Sequence, residues 1–222
     1  MRYLDLLTAL FATVLLVSNV ASTKLVVLGP FTFDGGTLLF PLAYIFGDVL
    51  TEVYGYRKSR RVIWIGFFAL LLATLTFQAV AHLPAPPDAE SQRFGEAFGL
   101  LLGLTPRIVL GSLLAYFLGE FANAYVLAKL KVRTEGRFFW LRALASTLVG
   151  QGLDTGVFLL VAFYGVFPKE VLLAVFLSNY AFKLGVEALM LPFTYAVVGF
   201  LKRAEGMDAY DRDTGFNPCR LT

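Results

Sequence analysis

Residues 40–61 read FPLAYIFGDVLTEVYGYRKSRR, an apolar run followed directly by a cluster of basic residues. Two acids lie inside the run, Asp48 and Glu52, and their spacing of four residues places them on one face of a helix. The run breaks at Gly55, and four of the six residues that follow are Lys or Arg. These features predict a membrane helix with a polar stripe and a cytoplasmic exit.

The composition of the chain excludes several classes of protein. Of its 222 residues, 58% are hydrophobic and 16% are charged, whereas soluble domains carry about 25% charged residues. A net charge of +3 is too small to indicate a nucleic-acid partner. The single cysteine, Cys219, excludes an internal disulfide and a cysteine metal cluster. The single histidine cannot build a haem, di-iron or zinc-protease site, so we expect neither an enzyme nor a cofactor.

The apolar runs predict an all-α integral membrane protein with six transmembrane helices. The predicted spans are residues 3–23, 37–54, 61–83, 107–130, 138–166 and 169–201. Between the first two spans, residues 25–36 (LVVLGPFTFDGG) are predicted to form a short hairpin with a Gly-Pro turn, or a re-entrant segment. The Pro-rich loop 84–106 is predicted to hold a short interfacial helix at residues 91–102.

The distribution of Lys and Arg predicts the orientation of the chain in the membrane. Basic residues are concentrated between the second and third spans, between the fourth and fifth spans, and at the start of the tail. Because cytoplasmic connections carry the excess of basic residues, both termini are expected on the cytoplasmic side. Residues 1–201 would then form one transmembrane domain, and residues 202–222 a polar cytoplasmic tail.

Polar side chains inside the predicted spans are the candidates for ligand binding, because a charge at the bilayer centre costs at least ~2.5–3.5 kcal/mol on insertion scales. They are Asn19, Asp48, Glu52, Glu120, Asn123, Gln151, Asp154, Asn179, Lys183 and Glu187. By position within their spans, Glu120, Asp154 and Lys183 are expected near mid-depth, and Asp48 and Glu52 nearer the cytoplasmic end.

This set contains five acids and one lysine, which predicts either protonated carboxylates or a ligand rich in hydrogen-bond donors. The 22 Phe and 10 Tyr residues could stack against a planar ring. Structural roles are the alternative. Asp48 and Glu52 could cap the bundle near the headgroups, and Asn19 and Asn123 could bond neighbouring helices. Lys183 and Glu187 could form an ion pair along one helix.

The order of motifs resembles the YhhQ/VUT family of queuosine precursor transporters. The resemblance runs through residues 40–61, SNVASTK (18–24), QGLDTGVF (151–158) and SNYAFKLGVEALMLPFTY (178–195). The tail EGMDAYDRDTGFNPC (205–219) also resembles the family's ending, except that Cys219 stands where an aromatic residue is expected.

This resemblance implies a carrier in the bacterial inner membrane for 7-cyano-7-deazaguanine, and leaves open its 7-aminomethyl analogue and queuine. Asp154 or Glu120 would accept the paired N–H donors of the base, while Gln151, Asn179 or Lys183 would donate to its carbonyl. Asp48 and Glu52 would gate the path or handle protons on the cytoplasmic side.

The energy source, the need for a partner subunit and the oligomeric state remain open at this stage. Import could be coupled to protons, as in a symporter, or could be facilitated diffusion. The chain could also be the substrate-binding membrane subunit of an ATP-driven importer. Faces of small residues leave a homodimer open.

Overall fold

The computed structural model describes residues 1–28, 31–103 and 106–220. Over these residues the chain forms seven α-helices, one antiparallel hairpin and a short 3-10 helix. The helices are α1 (Leu4–Ala21), α2 (Phe40–Tyr54), α3 (Tyr56–Ala81), α4 (Ala89–Leu102), α5 (Pro106–Arg133), α6 (Phe139–Phe163) and α7 (Lys169–Glu205). The hairpin consists of β1 (Leu25–Leu28) and β2 (Phe31–Asp34), and the 3-10 helix is Gly35–Leu38.

Five of the described helices, α1, α3, α5, α6 and α7, are long and apolar enough to cross a bilayer. This confirms the prediction of an α-helical, multi-pass membrane protein. The predicted second span differs, because α2 has only 15 residues. At about 1.5 Å per residue such a helix is ~22 Å long, shorter than the ~30 Å hydrocarbon core. Helix length alone therefore does not support a count of six spans.

The short helix α2 lies at the centre of the bundle. It packs against α1, α3, α5 and α7. Its side chains are buried around its whole circumference, as Tyr44, Ile45, Val49 and Leu50 illustrate. The surrounding helices therefore keep the acids of α2 away from lipid.

Helices α5 and α6 approach closely because glycines face the opposite helix at their contact. A Cβ atom built on Gly119 would lie 2.8 Å from Asp154 Cβ, and one built on Gly150 would lie 2.8 Å from Asn123 Cβ. Real Cβ atoms do not approach so closely, so neither glycine can carry a side chain without a shift of the helices. This contact holds Asn123 and Asp154 at the seam between α5 and α6.

The boundaries of several elements differ from the sequence prediction. Residues 25–36 contain the hairpin, although its Gly-Pro turn at residues 29–30 lies outside the described residues. Helix α3 begins at Tyr56 rather than at residue 61, so the basic cluster forms its first turns. Gly55 explains this early start. Its φ of 82°, which glycine adopts readily, lets the chain change direction between α2 and α3 at a single residue.

The ends of α1, α3, α5 and α6 differ from the other predicted bounds by one to three residues. Helix α7 continues to Glu205, beyond the predicted end at residue 201. The helix predicted at residues 91–102 is present as α4, which begins two residues earlier, and the Asp88 side chain accepts a hydrogen bond of 2.8 Å from the Ser91 amide at its start. The final part of the predicted loop, residues 104–105, lies outside the described residues.

The segment after α7 packs against the start of α3. Asp211 Oδ2 accepts a hydrogen bond of 2.8 Å from the Tyr56 amide, one of the amides that a helix start leaves without a partner. Arg60 Nη1 donates to the carbonyls of Gly215 at 2.9 Å and Asn217 at 2.7 Å. The presence of Cys219 in place of an aromatic residue is therefore compatible with a packed tail.

Five charged side chains join α2, α5, α6, α7 and the tail, and we call them the Glu52 cluster: Glu52, Lys131, Arg142, Lys202 and Asp208. Arg142 donates to both carboxylate oxygens of Glu52, at 2.6 and 3.2 Å. Lys202 Nζ lies 2.7 Å and Lys131 Nζ 3.5 Å from Glu52 Oε1. The Glu52 and Arg142 side chains are 1% and 0% exposed, so this ion pair is part of the core.

Asp208 contributes the second negative charge of the cluster, opposite Lys131 and Lys202. Burial alone would raise the pKa of its carboxyl, but hydrogen bonds from Lys131 and Lys202 outweigh that effect and hold the pKa below its usual range. Asp208 is therefore ionised at neutral pH and ties the tail to the helix ends.

A substitution at the α5–α6 seam tests the role of the close contact. We expect Gly150→Ala to destabilise the protein by about 1–3 kcal/mol, because the new methyl group has no room. The control is Gly199→Ala in α7, where a built Cβ meets nothing within 4 Å. The measurement is the melting temperature in detergent, and equal values for the two variants would contradict the assigned contact.

A second substitution tests the Glu52 cluster. We expect Glu52→Gln to cost about 3–5 kcal/mol of stability, because it leaves buried Arg142 without its counter-charge. Glu90→Gln, which neutralises an exposed acid of α4, is the control and should be close to wild type. To measure the difference, each variant is heated over a range of temperatures, and the monodisperse protein that remains is recorded by size-exclusion chromatography. A Glu52→Gln variant as stable as Glu90→Gln would show that the cluster contributes nothing to folding.

Candidate functional site

A second set of polar side chains lies on α2, α5, α6 and α7, and we call it the central polar cluster. Its members are buried or half-buried within the bundle. They are Tyr44, Asp48, Tyr116, Glu120, Asn123, Thr147, Gln151, Asp154, Thr155, Lys183 and Glu187. Most of the candidate residues from the sequence belong to this cluster.

Asp48 and Asn123 connect α2 to α5 within the cluster. Asn123 Nδ2 donates a hydrogen bond of 2.9 Å to Asp48 Oδ1. Both side chains are completely buried. The second carboxylate oxygen of Asp48, Oδ2, and the amide oxygen of Asn123, Oδ1, are buried without a hydrogen-bond partner in the described part of the chain.

Glu120 faces α2 at the position of a glycine. A Cβ built on Gly47 would lie only 3.2 Å from Glu120 Oε2, so the absence of a side chain there makes room for the carboxylate. The phenol of Tyr44 lies within electrostatic range of Glu120, Asp154 and Glu187. Acids from three different helices therefore surround this part of α2.

Asp154 and Lys183 form the ion pair that joins α6 to α7. Lys183 Nζ lies 3.1 Å from Asp154 Oδ2, and their side chains are 14% and 15% exposed. The sequence left open a pair between Lys183 and Glu187 along α7, and the observed partner is on the neighbouring helix instead. Asn179 is half-buried and lies one turn before Lys183 on the same face of α7.

Three residues of α6 form a polar stripe with a spacing of four: Thr147, Gln151 and Thr155. Each is buried, and each has a side-chain oxygen without a hydrogen-bond partner among the described residues. Sequence reasoning did not single out Thr155. The four-residue repeat that starts at Thr147 was the signal that could have identified it.

The unpartnered atoms are concentrated in one place. Among the side chains that the structure describes, six buried oxygens have no hydrogen-bond partner, and all six belong to the central polar cluster. They are Asp48 Oδ2, Asn123 Oδ1, Thr147 Oγ1, Gln151 Oε1, Thr155 Oγ1 and Glu187 Oε1. Buried polar atoms normally have hydrogen-bond partners, so these six oxygens are candidates for bonding to a polar ligand.

Two aromatic rings of α7 lie against glycines of α6. Phe176 and Tyr180 stack with ring centroids 5.4 Å apart and an angle of 13° between their planes. Cβ atoms built on Gly152 and Gly156 would lie 3.7 Å from Tyr180 and Phe176, respectively. A flat aromatic surface thus adjoins the face of α7 that carries Asn179 and Lys183.

Two of the candidate residues lie apart from the central polar cluster. Glu52 belongs to the Glu52 cluster, where its carboxylate bonds Arg142 and Lys202, which favours the structural alternative for this acid. Asn19 is half-buried, and its Nδ2 donates 2.9 Å to the Leu15 carbonyl of its own helix.

The cations that neutralise Glu52 were missed by the sequence reasoning. Lys131 and Lys202 lie at predicted span ends, where they were attributed to topology alone. Arg142 lies inside the predicted span 138–166, a position at which a charge requires a partner, and this was the available signal. In the described part of the chain, the acids are not grouped closely enough to form a metal site.

Comparisons with known proteins agree with a role in transport. A family model described as "Putative vitamin uptake transporter" matches residues 34–197. A probable queuosine precursor transporter of Bacillus subtilis is 36% identical over 188 residues, covering 84% of this chain and 80% of the relative. The queuosine precursor transporter of Escherichia coli is 27% identical over 168 residues, covering 73% of this chain and 71% of the relative.

No solved structure matches the chain significantly. The family and both relatives are described as transporters, which confirms the prediction that the protein is not an enzyme. The matches extend over most of the chain and include residues 40–61, so the chain belongs to the queuosine precursor transporter (VUT) family.

Proposed function

We propose that the protein imports a queuosine precursor, 7-cyano-7-deazaguanine or its 7-aminomethyl analogue, through the central polar cluster. The observation that carries this proposal is the set of six unpartnered buried oxygens, all within one cluster of a transporter-family bundle. The names of the relatives support the class of substrate.

The chemistry of the cluster suits a base with several N–H groups. Two of the six unpartnered atoms are amide oxygens, which accept hydrogen bonds, two are carboxyl oxygens, which accept them when ionised, and two are hydroxyls. A guanine-like edge presents a ring N–H beside an amino group, and this pair matches a carboxylate such as that of Glu120 or Asp154. The carbonyl of the base would accept from Lys183, Gln151 or Asn179.

The aromatic surface of α7 suits the planar shape of the same ligand. Phe176 and Tyr180 are stacked and half-buried beside the polar face of their helix. A deazapurine that lies against these rings would present its hydrogen-bonding edge to Lys183 and Asp154, which are partly exposed. Stacking and edge recognition would then act on one bound base.

For the membrane topology, we propose that the hairpin and α2 together cross the membrane between α1 and α3. With the five long helices this makes six crossings, and both termini lie in the cytoplasm. The basic residues support this orientation, because the end of the bundle with Arg57, Lys131 and Lys202 would face the cytoplasm. The transport domain would be residues 1–201 and the tail residues 202–222, in the inner membrane of a bacterium.

Uptake in cells tests the substrate. In bacteria that can neither synthesise nor import the precursor, we expect expression of this protein to restore queuosine in tRNA when 7-cyano-7-deazaguanine is supplied. Purified protein in liposomes should transport the base without an ATP-hydrolysing partner. Membrane-inserted protein that restores no queuosine would refute the proposed substrate.

Substitutions test the site. We expect Glu120→Gln, Asp154→Asn and Lys183→Gln each to lower uptake by roughly 10-fold to 100-fold, because a hydrogen bond to a charged group contributes about 1.5–3 kcal/mol. Asp5→Asn and Glu90→Gln, which neutralise exposed acids, are matched controls. Uptake at the control level in all three site variants, at equal expression, would place the binding site elsewhere.

A further inference from the structure

We propose that Asp48 of α2 and Glu187 of α7 together hold the proton that accompanies each imported base. This inference rests on the proposed function, which it extends from the substrate to the ion that drives its transport. It separates these two acids from the residues proposed to contact the base.

The geometry sets these two acids apart from the others. Asp48 and Glu187 are 0% and 1% exposed, and each has a carboxylate oxygen without a hydrogen-bond partner. They lie on helices that pack against each other, and Glu187 is at the midpoint of α7. Glu187 lies within electrostatic range of Asp48, as do Glu120 and Glu52.

Charge compensation distinguishes the pair from the other buried acids. Glu52 has Arg142 and Lys202, and Asp154 has Lys183. Among the described residues, neither Asp48 nor Glu187 forms an ion pair, and the hydrogen bond on Asp48 comes from the neutral amide of Asn123. Two neighbouring carboxylates in an apolar interior cannot both stay ionised at low cost, so one proton is shared between them.

More acidic than basic side chains lie around Asp48 and Glu187. Glu52 of α2 and Glu120 of α5 lie within electrostatic range of Asp48. Tyr44 of α2 lies within electrostatic range of Glu187, of Tyr116 and Glu120 on α5, and of Asp154 on α6, whose own partner is Lys183 of α7. Helices α1 and α3 also pack against α2. The charged residues of α1 and α3 are confined to the first turn of α1 and to residues 57–61 of α3. Glu120 also forms no ion pair among the described residues, and it is one of the two acids proposed to contact the base.

Binding and release of the proton would change the packing of α2 against α7. A proton that arrives from outside converts one carboxylate to an acid, whose O–H donates to the unpartnered oxygen of the other and draws α2 towards α7. When the proton leaves to cytoplasmic water, two carboxylates remain and repel each other. The proton therefore favours one arrangement of α2 and α7, and its release favours the other.

The wild-type protein provides the first test. In liposomes that contain a pH-sensitive dye, addition of 7-cyano-7-deazaguanine should drive protons inward together with the base. Binding should strengthen by up to about tenfold for each unit by which the pH falls. Uptake of the base with no proton entry and with pH-independent binding would overturn the inference while leaving the proposed function intact.

The variants Asp48→Asn and Glu187→Gln provide the second test. Each replaces the titrating group with a neutral amide of the same shape, so the pH dependence of binding should flatten and proton entry should cease. Asp5→Asn and Glu90→Gln should keep the wild-type pH profile. A wild-type pH profile in both Asp48→Asn and Glu187→Gln would refute the assignment.

A third measurement separates a proton from a cationic group on the ligand. If the pair bound an ammonium group instead, the wild-type protein would bind the 7-aminomethyl base far more tightly than the cyano base and move no protons. That result would overturn the inference. A protein that transports neither base would instead refute the proposed function.

Discussion

The structure depends on how the charge of each buried carboxylate is compensated among apolar helices. Such a group requires a cation, a proton or a ligand, because the bilayer offers no water to solvate it. At the basic end of the bundle, Glu52 obtains three cations from other helices. Towards the middle of the bundle, Asp48 and Glu187 obtain none among the described residues. One end of the bundle is therefore closed by ion pairs, whereas its interior keeps polar atoms available for binding.

The contrast between Asp48 and Glu52 shows what sequence can and cannot predict. A carboxylate inside an apolar run is conspicuous, and the spacing of four places both acids on one helical face. Their environments differ because the partners come from distant parts of the chain, such as Arg142 and Lys202 for Glu52 and Asn123 for Asp48. Local spacing contains no information about these contacts, so the two acids looked equivalent in the sequence.

The helices themselves were largely predictable, and the exceptions have local causes. Five apolar runs became long helices because hydrocarbon requires internally bonded backbone. The short length of α2 was not predictable from its apolar run, because its ends depend on packing against four neighbouring helices. The early start of α3 depends on the backbone conformation of Gly55, and the packed tail depends on acceptors that only the assembled helix ends reveal.

The link between the tail and α3 has a consequence for the order of assembly. The amide of Tyr56 is bonded by Asp211, which lies 155 residues later in the chain. Glu52 likewise leaves the ribosome before Arg142 and Lys202 have been made. During synthesis the acid of α2 therefore remains without these partners until α5, α6 and α7 have been made in turn. The end of the bundle that carries Glu52 is completed only once the tail with Asp208 and Asp211 has also been synthesised.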